Sequence, residues 1–180
     1  MNPKRSERFG AILCLLGPLL KTLPKKGRGM RRLHRLGYVM LGELATTRLF
    51  YALHRAIYRL SGGRIFSRSL GCPVVLLTTT GRKSGEPRTA PIFGFQEGQS
   101  IIVVPSNAGK KDYPSWYLNL RANPQAQVQF GSEIRLVRAR EATLQERDRL
   151  WPRLASRYGG YQVYLERTDR HIPVVILEPI

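Results

Sequence analysis

Residues 72–106 restrict the possible folds more than any other stretch of this chain. "CPVVLLTTT" is a β-branched, apolar run of the kind that forms a buried strand. After a glycine-bearing turn the chain returns as "RTAPIFGF" (88–95), turns again at "EGQ" (97–99), and runs out through "SIIVVPS" (100–106). Three strands joined this tightly pair antiparallel, and they need further strands or helices to cover their apolar face.

The rest of the sequence supplies them. "AQVQF", a turn at "GSE" and "IRLVRAREA" read as a second hairpin, and "IPVVILEP" as a last strand. Between them, "YPSWYLNLRANP" (113–124) predicts a short helix stopped by its Asn-Pro. "TLQERDRLWPRLASRYGG" predicts a longer one, with Thr143 as N-cap and Glu146 completing a capping box. Six mostly antiparallel strands with short helices between them describe a small closed or partly closed barrel. The expected class is mainly β.

Upstream the texture differs. From Met30 to Leu60, Leu33, Leu36, Met40 and Leu44 recur near helical spacing, followed by Leu49, Leu53, Ile57 and Leu60. "SGG" (61–63) ends this pattern, so residues 1–60 read as a basic, amphipathic extension and 61–180 as the barrel domain. The chain holds 30 Lys+Arg against 12 Asp+Glu, net +18; residues 1–70 contain 15 basic and 2 acidic side chains and so carry +13 of it. Such a field selects anionic partners. Because the charge is interleaved with large apolar side chains, a membrane surface suits it better than nucleic acid, and no RNA-binding signature accompanies it. "FGAILCLLGPLL" (9–20) spans ~18 Å as a helix, short of a ~30 Å hydrocarbon core. The expected location is therefore cytoplasmic, peripheral to the inner face of the membrane; a helix packed on protein is the other reading.

Cys14 and Cys72 stand far apart, and His34, His54 and His171 have no ligand-like spacing, so no metal site is expected. The turn after the first strand, "GRKSGEPR" (81–88), gathers Arg82, Lys83 and Arg88 around Gly81 and Gly85. A phosphate loop of the GxxxxGK[ST] type would need glycine where Arg82 and Leu77 stand. What remains is a basic turn in search of an anion, or a solvated hairpin tip.

"LLTTTGRKSGEPRTAP", "VVPSNAG", "PSWYLNLRANPQAQVQ" and "YGGYQVY", in order and correctly spaced over about residues 60–178, resemble the deazaflavin-dependent nitroreductase family. Those proteins are split β-barrels of the flavin-reductase type that bind coenzyme F420. The resemblance implies that Arg82, Lys83, Ser84, Arg88 and Pro91 hold the cofactor, its acidic tail at the turn. It places Ser106, Asn107, Lys110, Lys111, Trp116 and Asn119 along a second wall. Many relatives have lysine where this chain has Asn107, so the charge there falls to Lys110 or Lys111. The resemblance also places Tyr158, Tyr161 and Tyr164 over the substrate pocket, with Tyr161 as a hydrogen-bond or proton donor. If helical, the three form one slanted stripe; Gly159 and Gly160 leave a mobile lid open. The implied activity is hydride transfer to a quinone, a nitroaromatic or an enone, by a monomer or homodimer. FMN in the same cleft, and a non-catalytic carrier of the cofactor or of a lipid-like acid, are the alternatives.

Overall fold

The computed structural model describes residues 36–39 and 48–180. The apolar segment 9–20, Cys14, His34 and most of the expected helix between Met30 and Leu60 lie outside the described residues. Of that helix, residues 36–39 are helical, and so is α1 (Arg48–Leu60).

A two-residue strand β1 (Arg68–Ser69) precedes the three strands β2 (Cys72–Thr80), β3 (Pro87–Glu97) and β4 (Ser100–Val103). Then come a short 3-10 turn at Asn107–Gly109, helix α2 (Ser115–Ala122), and the hairpin β5 (Gln125–Phe130) and β6 (Glu133–Glu141). Helices α3 (Leu144–Arg157) and α4 (Gly160–Arg167) lead to β7 (Val175–Pro179). Every pairing is antiparallel, in the order β1-β2-β3-β4-β7-β6-β5, and β2 also pairs with β5. That extra ladder closes six strands into a barrel. β1 is an addition that the sequence pattern did not announce; two residues are too few to show a period.

Strand alternation gives the barrel two apolar layers. Val75 and Leu77 of β2, Ile101 and Val103 of β4, Val128, Val137, Val175 and Leu177 fill the interior, each under 5% exposed. The intervening Ile102 and Ile176, with Phe95 of β3, face outward and are covered by Leu150 and Leu154 of α3 and by Tyr161 and Tyr164 of α4. β4 and β7 are thus buried on both faces, which is why their sequences are unbroken apolar runs.

The expected capping box is formed: Thr143 Oγ1 accepts from Glu146 N–H at 3.3 Å, and Glu146 Oε2 accepts from Thr143 N–H at 2.8 Å. Arg140 grips the same carboxylate at 2.7 and 2.8 Å and reaches Glu178 at 2.8 Å, joining β6, β7 and the start of α3. Chiefly through Arg140, the Glu146 carboxyl is held down at about 2.

Helix α1 docks through His54 and Tyr58, spaced four apart and 5% and 0% exposed. The Tyr58 hydroxyl donates to Val74 O at 3.1 Å and accepts from Gly131 N–H at 2.8 Å, so one phenol ties α1 to β2 and to the β5–β6 turn. Tyr58→Phe keeps the ring and leaves a buried carbonyl and an amide unpaired. A loss of about 1–3 kcal/mol in urea unfolding is expected; a change below about 0.3 kcal/mol would mean that water replaces the hydroxyl at no cost.

Candidate active site

The β2–β3 connection is a tight, tethered turn. Gly81 N–H donates to Glu86 O at 2.8 Å, and Gly85 N–H to Gly81 O at 2.7 Å. A Cβ on Gly81 would sit 2.8 Å from Ser84 Oγ and 3.1 Å from Glu86 O, so the turn closes only with glycine there. Ser84 Oγ accepts from Glu86 N–H and Arg88 Nη2, both at 3.3 Å. Arg82, Lys83, Ser84 and Arg88 are exposed, and none of the three cations pairs with a carboxylate among the described residues.

What fixes this turn is the side chain of Asn119, on α2 and 3% exposed. Its Oδ1 accepts from Arg82 N–H at 3.1 Å and Arg82 Nη1 at 3.4 Å; its Nδ2 donates to Thr79 Oγ1 at 3.0 Å. Thr79, 2% exposed, in turn donates to Arg88 O at 3.4 Å. One buried amide therefore joins β2, the basic turn and α2. Pro91, buried opposite Leu76, continues β3 away from this point.

A second loop follows β4. Ser106 is right-handed (φ −69°), after which Asn107 (48°), Ala108 (55°) and Gly109 (72°) are all left-handed. Asn107 Nδ2 donates to Asp112 O at 2.9 Å; Lys110 is half-buried and Lys111 exposed. Ser106 is 9% exposed, and its hydroxyl makes no hydrogen bond among the described residues. Pro114, the N-cap of α2, ends this loop, so α2 connects the two walls: Trp116 and Tyr117 are buried in the barrel core, and Asn119 reaches the basic turn. Tyr117 also donates to Glu141 of β6, and burial together with that carboxylate pushes its phenol up.

The three tyrosines come together. Tyr158 is the C-cap of α3, and Tyr161 and Tyr164 lie on α4; they are 5%, 2% and 3% exposed. Tyr158 meets Tyr161 edge-to-face at 5.1 Å and Phe93 at 4.9 Å. The Tyr164 hydroxyl donates to Tyr38 O at 3.1 Å, so the proton between Tyr158 and Tyr164, 2.8 Å apart, belongs to Tyr158. The Tyr161 hydroxyl has no hydrogen-bond partner among the described residues. Burial raises the Tyr158 and Tyr161 phenols well above their ordinary value of 10.0 and Tyr164 to about 12. At neutral pH all three are donors.

Two arginines that the sequence did not single out link this cluster to the Ser106 loop. Arg167 Nη1 donates to Ala108 O at 3.1 Å, and Arg170 Nη2 to Ser106 O at 2.9 Å. "LERTDRH" holds four charged side chains in seven residues and no pattern that separates a surface arginine from one folded back onto a loop.

A family model described as F420H(2)-dependent quinone reductase matches residues 50–179. F420H(2)-dependent quinone reductase Rv1261c of Mycobacterium tuberculosis is 40% identical over 132 residues, covering 69% of this chain and 87% of its own length. A solved structure described as an F420-H2 dependent reductase (FDR-A) is 41% identical, with a TM-score of 0.55 over 59% of this chain and 94% of its own. Another, described as a domain-swapped dimer, is 36% identical, with a TM-score of 0.57 over 71% and 96%.

The Asn119 tether makes a direct prediction. Asn119→Leu keeps the volume and removes three hydrogen bonds; amide exchange across residues 81–86 should rise at least about tenfold while β4 and β7 stay protected. Unchanged exchange in the turn would show that its own backbone bonds suffice.

Proposed function

Because the chain belongs to the F420H(2)-dependent quinone reductase family, we propose that it passes a hydride from reduced coenzyme F420 to an electron-poor acceptor, a quinone in the first place and a nitroaromatic or an enone in the second. The observation that carries this reading is the set of three cations that pair with no carboxylate among the described residues, on a turn whose base is bolted down by Asn119.

The residues present fit the cofactor. F420 bears a phosphodiester and several carboxylates, and Arg82, Lys83 and Arg88 offer two guanidinium groups and a point charge with no anion among the described residues to displace. Ser84, Pro91, Asn107, Lys110, Lys111 and Trp116 are assigned to the same cleft. The bound cofactor supplies a hydride from its ring carbon. The protein's share is orientation and charge stabilisation.

A quinone that receives a hydride becomes an anion at oxygen and needs one proton to leave as a hydroquinone. Ser106 and Tyr161 are the donors assigned to that oxygen, because both hydroxyls lack an internal partner. Tyr158 donates to Tyr164 and Tyr164 to the Tyr38 carbonyl, and the two act by holding Tyr161 in place. Since burial raises the Tyr161 phenol, it stays protonated and serves that oxygen as a hydrogen-bond donor.

Wild-type protein mixed with reduced F420 and menadione should oxidise the cofactor, read as the return of its visible absorbance. Arg82→Ala combined with Lys83→Ala should weaken F420 binding at least about tenfold, the loss of about 1.4 kcal/mol or more. Unaltered affinity in that double variant would remove the basis of the reading.

Residues 61–180 form the cofactor-binding unit in this reading, and residues 1–60 rest on an anionic membrane surface at the cytoplasmic face. Leu53, Leu60 and Ile65 are exposed beside Arg59, and no helix of the described residues is long and apolar enough to cross a bilayer. Deleting residues 1–29 should move the protein from the membrane pellet to the soluble fraction with F420 binding intact. Continued pelleting would refute the anchoring role.

A further inference from the structure

Three consecutive left-handed residues are costly, most of all at Ala108, whose Cβ crowds the backbone there, and less at Asn107 and Gly109. The loop's own bonds are Gly109 N–H to Ser106 O at 2.9 Å, Lys110 N–H to Asn107 O at 3.0 Å, and Asn107 Nδ2 to Asp112 O at 2.9 Å. They close the turn upon itself; from outside it is held by Arg167, which donates to Ala108 O at 3.1 Å, and at more points by Arg170. Its Nη2 donates to Ser106 O at 2.9 Å, Nη1 to Pro105 O and to His171 O at 3.3 Å, and Nε to Lys110 O at 3.3 Å. Its guanidinium lies 4.2 Å from the centre of the Tyr113 ring, and that ring's hydroxyl donates to His171 O at 3.0 Å.

We propose that Arg170 is the positioning residue of the Ser106 loop: by gripping the carbonyls of Pro105, Ser106 and Lys110 it sets which way the peptide units of this wall face, and so where the Ser106 hydroxyl stands. The inference rests on the reading of that loop as a wall of the hydride-transfer site. Two physical points favour a scaffolding arginine over an anion-binding one. Four of its five N–H donors are committed to carbonyl oxygens, leaving no free fork for a carboxylate or phosphate. And in a planar trans peptide the C=O and the next N–H point in opposite directions. Holding Ser106 O against Arg170 therefore turns Asn107 N–H away from it, and that amide makes no hydrogen bond with the described residues. The grip leaves two donors, an amide and a hydroxyl, for whatever oxygen or anion lies on the far side. Lysine could not substitute: one ammonium cannot reach three carbonyls in a plane while stacking on a ring.

The test uses the full chain and the variants Arg170→Ala and Arg170→Lys. In the cofactor-free protein, amide exchange of residues 105–112 should rise at least about tenfold in both, with β2 and β7 unchanged. With reduced F420 and menadione, kcat should fall at least about tenfold in both, and by clearly more than any loss of F420 affinity, since the basic turn assigned to the acidic tail is untouched even though Asn107, Lys110 and Lys111 lie on the loosened wall. Methylguanidine should restore turnover to Arg170→Ala in a saturable way and do nothing for Arg170→Lys. If Arg170→Ala loosens the whole barrel, the decision passes to Arg170→Lys, which keeps the charge and most of the length. Loop exchange unchanged from wild type, turnover within about threefold of it, or equal losses of affinity and turnover would overturn the assignment. A wild-type protein that never oxidises reduced F420 would sink the reductase reading instead, and the exchange experiment would still decide what Arg170 holds.

Discussion

The arrangement of this protein hangs on one buried amide. A side chain such as Asn119 is kept inside a protein only when its donor and acceptor are both satisfied. Here the two partners lie on different elements, a strand threonine and a loop amide, so satisfying the amide fixes the middle of α2, the end of β2 and the base of the basic loop together. The consequence is a division of labour along eight residues. The backbone at Gly81 and Arg82 is fixed, whereas the side chains of Arg82, Lys83 and Arg88 are exposed, Arg82 touching Asn119 and Arg88 touching Ser84 by one hydrogen bond each.

The barrel's second constraint is that two of its strands are covered on both sides. Because Ile102 and Ile176 face out beneath α3 and α4, the helices must bring apolar mass of their own, and tyrosine does this while keeping one polar atom per ring. Burial has a chemical consequence. Desolvation disfavours the phenolate, so the cluster consists of neutral donors over the whole neutral range. Tyr158 and Tyr164 spend their hydroxyl protons on a relay that ends at the Tyr38 carbonyl. Only Tyr161 retains a hydroxyl with nothing among the described residues to give it to. The same three residues thus meet a packing requirement and leave one hydroxyl, that of Tyr161, uncommitted among the described residues.

How much of this was legible in the sequence varies with the range of the forces involved. Strands were readable because β-branched runs are local signals, and the capping box because its two partners are three residues apart. The β2–β5 closure was not: Leu77 and Val128 are ladder partners 51 positions apart, and nothing in either run names the other. Gly159 and Gly160 left α4 undecided between helix and lid, since glycine is a poor helix former. The structure supplies the reason for Gly160: a Cβ there would stand 2.4 Å from the Tyr158 ring, so the glycine makes room for a phenol. Arg167 and Arg170 escaped notice because a sequence does not distinguish a solvated guanidinium from one turned back onto carbonyls 59 to 65 residues away.

The departure at Asn107 has a conformational explanation. The position has φ 48°, in the left-handed region, where asparagine is tolerated far better than most side chains with a Cβ. Its amide also ties the loop by donating to Asp112 O. A lysine there would bring a cation and neither of these advantages. The tip of the loop carries backbone order rather than a charge, and Lys110 and Lys111 follow immediately after the left-handed stretch. With Arg170 holding the loop's carbonyls from one side and Asn107 locking its tip, the wall is ordered by its own contacts, so in the proposed reaction an acceptor docking against it would meet donors whose orientation is already set.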